Sequence, residues 1–267
     1  MASTQPTQPT QQEKADPHND GATAPATTKS FVPLENNPEV MSSLLHNLGL
    51  SSQLAFHDVF SIDEPELLAF VPRPACALLL VFPISDTYET FRLSEDYDKP
   101  EYEGCGPDEE VVWYKQTISN ACGLIGVLHA ASNGPARDFI TPDSHLAKLL
   151  QDAINLKPAQ RADLLYESQA LENAHQAAAT GGDTAAPSAD DNIDLHYVCF
   201  VKSANNHLWE MDGRRKGPLD RGVLSADDDV LSDRALDMGV RSFLQRESQA
   251  GGGDLRFSLV ALSQSLD

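Results

Sequence analysis

Gln116-Thr117-Ile118-Ser119-Asn120-Ala121-Cys122-Gly123-Leu124-Ile125-Gly126-Val127-Leu128-His129-Ala130 decides how the rest of this chain is read. From Leu124 onward the side chains are apolar nearly all round, the pattern of a helix buried inside a domain. Ser119 and Asn120 are good capping residues just before it, so the spacing predicts a helix start with Cys122 in its first turn. Unpaired backbone N–H groups and the positive end of the helix dipole favour a thiolate there, the reactive form of cysteine. A free cysteine is usually only a small buried residue. That suits Cys76 and Cys199, inside apolar strands, while Cys105 lies in a polar loop. Cys122 needs a base before its position means chemistry.

Of eight histidines, His18 and His175 are expected in floppy segments, and His46 and His145 within amphipathic helices. His57 borders a loop and His129 lies on the buried helix; for all six a structural or solvated role is the simpler reading. His196 and His207 sit on Asp194–Val201 and His207–Gly213, two segments read as a β-hairpin. If Ala204-Asn205-Asn206 is a three-residue turn with an Asn in the left-handed position, Ser203 pairs with His207. Asp212 then stands opposite Val198, one diagonal step from His196 and on its face of the sheet, whereas His207 falls on the other face. A helix-start cysteine with a histidine and a carboxylate on neighbouring strands satisfies the logic of a thiol hydrolase: Cys122 nucleophile, His196 base, Asp212 orienting acid. Gln116, ahead of the helix, is placed to aim its side-chain N–H where the backbone N–H of Cys122 points, two donors for an oxyanion hole.

Residues 1–29 are rich in Gln, Thr, Pro, Ala and Asp and nearly lack large apolar side chains, so they are expected to form a disordered tail ahead of one domain, 30–267. Asn37-Pro38-Glu39 reads as a capped helix start, Val40, Met41, Leu44, Leu45 and Leu48 recur at helical spacing, and Gly49 is the stop. A shorter helix is expected to end at Leu67–Val71. Ala75–Phe82 is a continuous apolar run, read as a central strand buried on both faces. Residues 95–110 read as a surface loop and Val111–Tyr114 as a short apolar segment. Helices are expected at Ser144–Asn155 and Pro158–Glu172. A long flexible loop is expected over about 172–192, where Gln176–Asn192 offers only small and polar side chains around Gly181-Gly182. A late helix, Arg234–Glu247, is broken by Gly251–Gly253 before a last strand, Leu255–Leu262.

Acidic residues outnumber basic ones 40 to 19, for a formal charge of -21, which disfavours nucleic acid and suits a basic partner. Four cysteines without C-x-x-C spacing argue against a disulfide framework or a zinc site, so neither metal nor cofactor is expected. Free thiols, no signal-peptide pattern and no run of roughly 18 apolar residues point away from the membrane and to the cytoplasm, with nuclear access open.

At these residues the sequence resembles the ubiquitin carboxyl-terminal hydrolases, peptidase family C12. Gln116, Cys122, His196 and Asp212 match that family's Gln, Cys, His, Asp order one by one. Pro33–Val40, Pro72-Arg73-Pro74, Lys115–Gly123, Asp194-Leu195-His196, Leu208–Arg214 and Phe257–Leu262 look like it too. The resemblance covers about residues 31–267 and is to the small single-domain members. It implies an α+β, papain-like cysteine protease fold, with an antiparallel sheet between helices and a threaded, knotted backbone. It also implies a monomer that cleaves after the C-terminal glycine of ubiquitin, with a ubiquitin-like protein such as Nedd8 as the alternative. The segment at 172–192 would be a crossover loop above the site that admits only small adducts or short peptides. Glu35, Glu39 and Asp58 resemble acidic positions that meet the basic surface of ubiquitin. Leu124 departs from the family's usual Thr, and the turn at Ala204–Asn206 is one residue longer than the resemblance leads one to expect. Two other classes stay open: a different papain-like thiol hydrolase, and a ubiquitin-binding module without activity.

Overall fold

A computed structural model describes residues 29–184, 187–189, 194–249 and 256–266. The expected tail, residues 1–28, and the glycine break at 251–253 lie outside the described residues. Lys29, assigned to the tail, is instead held, its ammonium 2.8 Å from Glu172 and donating to the Tyr166 carbonyl.

Helix α1, Pro38–Leu48, forms where local signals agree: the Asn37 side chain accepts the N–H groups of Glu39 and Val40, and Gly49 closes the helix in the left-handed region at φ 114°. Strand β1, Leu54–Asp58, and the single turn α2, Pro65–Leu68, lead to β2, Ala77–Pro83. The apolar run of β2 divides between two cores: Ala77, Leu79 and Val81 face one, Leu78, Leu80 and Phe82 the other. Strands β3, Leu195–Lys202, β4, His207–Met211, β5, Leu219–Val223, and β6, Ser258–Gln264, complete a six-stranded sheet of order β1-β6-β2-β3-β4-β5, every neighbouring pair antiparallel. The last strand thus inserts between two of the earliest.

One face of the sheet is covered by α1 together with α4, Cys122–Ser132, α5, His145–Ile154, α6, Pro158–Glu167, and α7, Gln169–Ala179. The other is covered by α3, Asp86–Asp96, and by a late helix made of α8, Asp233–Leu236, a π turn and α9, Ser242–Gln249. Helix α4 lies close on the sheet because Gly123 and Gly126 face it. A Cβ on Gly123 would stand 3.5 Å from the Tyr197 ring, and one on Gly126 3.0 Å from Leu79. Among the described residues no helix is long and apolar enough to cross a membrane.

The expected helix to Glu172 divides at Ser168, and the loop expected over 172–192 begins instead as α7. Ser168 caps it by accepting the Leu171 N–H, and Leu171, His175, Ala178 and Ala179 make a buried stripe. Small side chains suggested a loop, yet alanine is the strongest helix former and a narrow stripe suffices against α1. His175, expected in a floppy segment, is buried there, hydrogen-bonded to the Val32 carbonyl at 2.7 Å with its ring 4.8 Å from Phe31. Helix α3 and strands β1 and β5 carried no strong periodicity and were not expected; α2 ends at Leu68, short of Val71.

Val111–Tyr114 is buried but in no regular element, so side chains supply its backbone partners. Asn133 accepts the Val112 N–H and donates to its carbonyl, His129 accepts the Tyr114 N–H, and Arg161 donates to the Trp113 carbonyl.

Alanine at Gly49 would put a Cβ 2.1 Å from that of Ser144 in a left-handed backbone, whereas Gly106, at φ 100°, faces open space. Gly49→Ala is expected to cost about 2–5 kcal/mol and Gly106→Ala only about 1–2 kcal/mol. Urea unfolding of the two variants checks this; equal midpoints would mean that the Ser144 contact is irrelevant.

Candidate active site

Cys122 is the first residue of α4, as the spacing predicted, but the capping is different. Ala121 occupies the cap position and makes no side-chain cap bond. Asn120 sits at φ 58° with its amide donating to the Ala189 carbonyl at 3.0 Å, and Ser119 bridges to Ser30 through its backbone. The cap residue Ala121 thus offers no side chain to the first-turn N–H groups of α4 beside the thiol. Cys122 is half-buried and opens onto a cleft of about 230 Å³ lined by Leu34, Glu35, Asn120, Thr184, Pro187 and Tyr197.

The hairpin has the register read from the sequence. Cys199 pairs with Met211 and Lys202 with Leu208, Ser203 bonds to His207, and Asn206 is the left-handed residue at φ 63°. His196 and Asp212 consequently meet, His196 Nε2 donating to Asp212 Oδ1 at 2.8 Å, with both side chains almost wholly out of water. His207 falls on the other face, where it pairs with Asp220 at 2.7 Å. With Nε2 committed to the carboxylate, Nδ1 is the ring nitrogen left to face Cys122, which lies close enough to His196 to help raise its pKa. Sγ also lies 3.8 Å from the Leu195 carbonyl, the residue before the histidine.

Burial alone would push the His196 pKa down. The charge and hydrogen bond of Asp212, helped by Cys122, overcome it and raise the value from 6.5 to about 9. Burial likewise opposes ionisation of Asp212. The His196 charge and the hydrogen bonds from His196, Tyr88 and the Arg214 N–H nevertheless hold its carboxyl well below the usual carboxylate range. The Tyr88 hydroxyl on Oδ2 and the Arg214 N–H at 2.9 Å on Oδ1 were not anticipated, nor was Trp113 Nε1, which donates to the Asp212 carbonyl at 3.1 Å. Ser85, three residues before Tyr88, was the available signal for the helix that brings it.

Gln116 comes to the same place by its backbone, its N–H donating to the Gly213 carbonyl at 2.9 Å. Its amide donates to the Ile118 carbonyl at 3.4 Å, and Oε1 is buried without a partner among the described residues. Of the three acidic positions, Glu35 borders the cleft and accepts the Thr184 N–H at 3.3 Å, while Glu39, in the first turn of α1, and Asp58, at the end of β1, are exposed.

The described residues of 180–194 are tied to the N-terminal segment and to Asn120, and Asp194 to Ile84, whose N–H donates to its carbonyl at 2.6 Å. Asp183 accepts from Asn37 at 3.2 Å near the Glu35–Thr184 contact, and the Ala189 carbonyl accepts from Ser30 at 2.6 Å as well as from Asn120. Among the described residues no group of three or more His, Cys, Asp and Glu side chains could hold a metal ion.

Residues 31–245 match the family model described as ubiquitin carboxyl-terminal hydrolase, family 1. The ubiquitin carboxyl-terminal hydrolase isozyme L1 of Rattus norvegicus is 36% identical over 233 residues, 87% of this chain and 98% of the relative. A ubiquitin carboxyl-terminal hydrolase of Aplysia californica is 38% identical over 224 residues, 84% of this chain and 99% of the relative. In fold the chain is similar to the Trichinella spiralis UCH37 catalytic domain, solved bound to ubiquitin vinyl methyl ester. The TM-score is 0.65 at 19% identity, covering 88% of this chain and 95% of that one.

His196 has a raised pKa, so in the folded protein it keeps its proton up to about pH 9. The stability that the pair contributes is full below about 6.5 and is lost as pH rises through about 9. Imidazole resonances followed by NMR are expected to show a His196 titration near 9, and Asp212→Asn to bring it down sharply, because burial then acts with less opposition. A titration near 6.5 in the unaltered protein would contradict the pairing.

Proposed function

This chain belongs to ubiquitin carboxyl-terminal hydrolase family 1, and we propose that it hydrolyses bonds at the C-terminal glycine of ubiquitin through Cys122, His196 and Asp212. The observation that carries this reading is the buried His196–Asp212 pair at 2.8 Å, with Cys122 beside the histidine at a helix start. The reacting form of the site is an imidazolium next to a thiolate, and the proton that His196 holds at neutral pH serves that form. The sulfur attacks the glycine carbonyl, and the developing oxyanion takes N–H bonds from the Cys122 backbone and from Gln116 once its amide turns from Ile118. The imidazolium then gives its proton to the leaving amine. Water, deprotonated by the now neutral His196, opens the thioester and regenerates the pair.

Glu39 and Asp58, exposed, offer carboxylates to a basic surface of ubiquitin, and Glu35 does so from the rim of the cleft, consistent with the charge of -21. Nedd8 remains the alternative substrate within the same chemistry. The papain-like, threaded backbone expected of the family is supported by the sheet order, in which β6 enters between β1 and β2. The segment at 180–194 acts as a strap that selects small adducts or short peptides. Its described residues Thr184 and Pro187 border the cleft, and its hydrogen bonds to Glu35, Asn37, Ser30 and Asn120 are each worth only about 1 kcal/mol, which supports a strap that can be released.

Cys122→Ala is expected to abolish turnover of a ubiquitin–dye conjugate while ubiquitin still binds. Asp212→Asn is expected to lose roughly 10–10⁴-fold. Asp237→Asn, altering a surface residue paired with Arg241 at 2.9 Å, is expected to be silent. Turnover by Cys122→Ala would end the assignment.

Inserting about ten Gly and Ser residues after Thr184 keeps the Glu35 and Asn37 contacts while lengthening the strap. Diubiquitin, or ubiquitin fused to a folded domain, is then expected to be cleaved with little change on the dye conjugate. No gain on large leaving groups, with the fold intact, would make the strap a passive connection.

A further inference from the structure

We propose that Tyr88 is a positioning residue of this site, its phenol holding the second oxygen of Asp212 so that the first stays on His196. The inference rests on the assignment of Cys122, His196 and Asp212 above. Asp212 lies just beyond the end of β4, where the ladder no longer fixes the backbone, and its carboxylate would be free to rotate about its own bond. Oδ1 is shared between His196 at 2.8 Å and the Arg214 N–H at 2.9 Å. Oδ2 has the neutral Tyr88 hydroxyl; the cationic Arg215 Nε stands at 3.9 Å, beyond hydrogen-bond range.

Tyr88 is itself fixed from several directions, as a positioning group must be. Its N–H donates to Ser85 at 2.9 Å, and the Ser85 hydroxyl donates to Glu247 on α9 at 2.6 Å, tying the start of α3 to the late helix. Its ring is 3% exposed, 4.8 Å from Phe82 and 6.4 Å from Phe243. The His196 ring packs 5.8 Å from both Phe82 and Tyr88. One side chain thus touches the acid through its hydroxyl and the base through its ring. Burial and the neighbouring carboxylate keep the phenol protonated, so it remains a donor throughout the working pH range.

Tyr88→Phe removes the hydroxyl and keeps the ring. It is expected to lower kcat on a ubiquitin–dye conjugate by about tenfold, with KM within about twofold, since a hydrogen bond to a charged group is lost from the acid and not from the substrate. It is also expected to move the His196 titration measured by NMR. In an Asp212→Ala background, followed by single-turnover assays, the same substitution is expected to have no further effect, because the phenol then has nothing to hold. Phe243→Leu, which loosens the same aromatic packing without touching Asp212, sets the size of a packing effect. Unchanged kcat and titration in Tyr88→Phe would overturn the proposal, as would a loss that persists in the Asp212→Ala background or that merely equals the Phe243→Leu loss. Cys122→Ala, run alongside, separates the two levels. If it keeps turnover, the assignment of the site fails; if it is inactive while Tyr88→Phe is unimpaired, the role of Tyr88 alone fails.

Discussion

The ion pair between His196 and Asp212, 2.8 Å apart and almost wholly removed from water, constrains everything around it. Taking two charged groups out of water costs several kcal/mol each, and their mutual attraction offsets this only when the geometry is good and the remaining lone pairs are satisfied. The neighbourhood is built accordingly: Tyr88 and the Arg214 N–H serve the carboxylate, and aromatic rings exclude solvent from the imidazole. Behind them Arg215, 1% exposed in its side chain, lies 2.9 Å from Glu95, 3.0 Å from Asp96 and 3.4 Å from Glu210. Arg221 joins Glu95 to Glu210 at 2.6 and 2.7 Å. Such a network adds little to net stability, but it ties α3 to β4 and β5 and so keeps the acid in register with the base.

Cys122 is held by packing of a different kind. Helix α4 reaches the sheet closely enough to bring Cys122 to His196 because glycines face β2 and β3. Val111–Tyr114 runs beside this helix in no regular element, and its buried backbone is served by Asn133, His129 and Arg161. Arg161 is in turn neutralised by buried Glu109. His129, two turns along α4 from the cysteine, illustrates the division of labour between histidines. Burial drives its pKa down to about 3, so it stays neutral and accepts the Tyr114 N–H, whereas His196, facing a carboxylate, is driven the other way.

The mouth of the cleft rests on weaker forces. Its rim is made of hydrogen bonds between the N-terminal segment, Asn120 and the described parts of 180–194, several of them solvent-exposed. The His196–Asp212 pair is rigid because its charges cannot be left unpaired in a dry interior. The hydrogen bonds at the rim are releasable because their groups can trade partners for water.

Local chemistry made part of this legible from the sequence alone. The cap at Asn37, the stop at Gly49, the two-sided apolar run of β2 and the left-handed asparagine at 206 are each set by residues within a few positions. Strand alternation then carried the turn register outward to place His196 and Asp212 on one face and His207 on the other. The family motifs at Gln116, Cys122, His196 and Asp212 could be read in the same way. Helix α7 was misread because alanines carry no periodicity of their own until another surface shows which of them are buried. Tyr88 was missed because its partner lies 124 residues away, and no local pattern records a contact of that separation. The sequence by itself determined the capped and strongly patterned elements and the hairpin register, since these follow from steric and hydrogen-bonding preferences of neighbours along the chain. The donors on Asp212, the direction in which each buried histidine titrates and the hydrogen bonds that hold the described parts of 180–194 were decided only in the tertiary structure, where desolvation and charge depend on which distant groups are brought together.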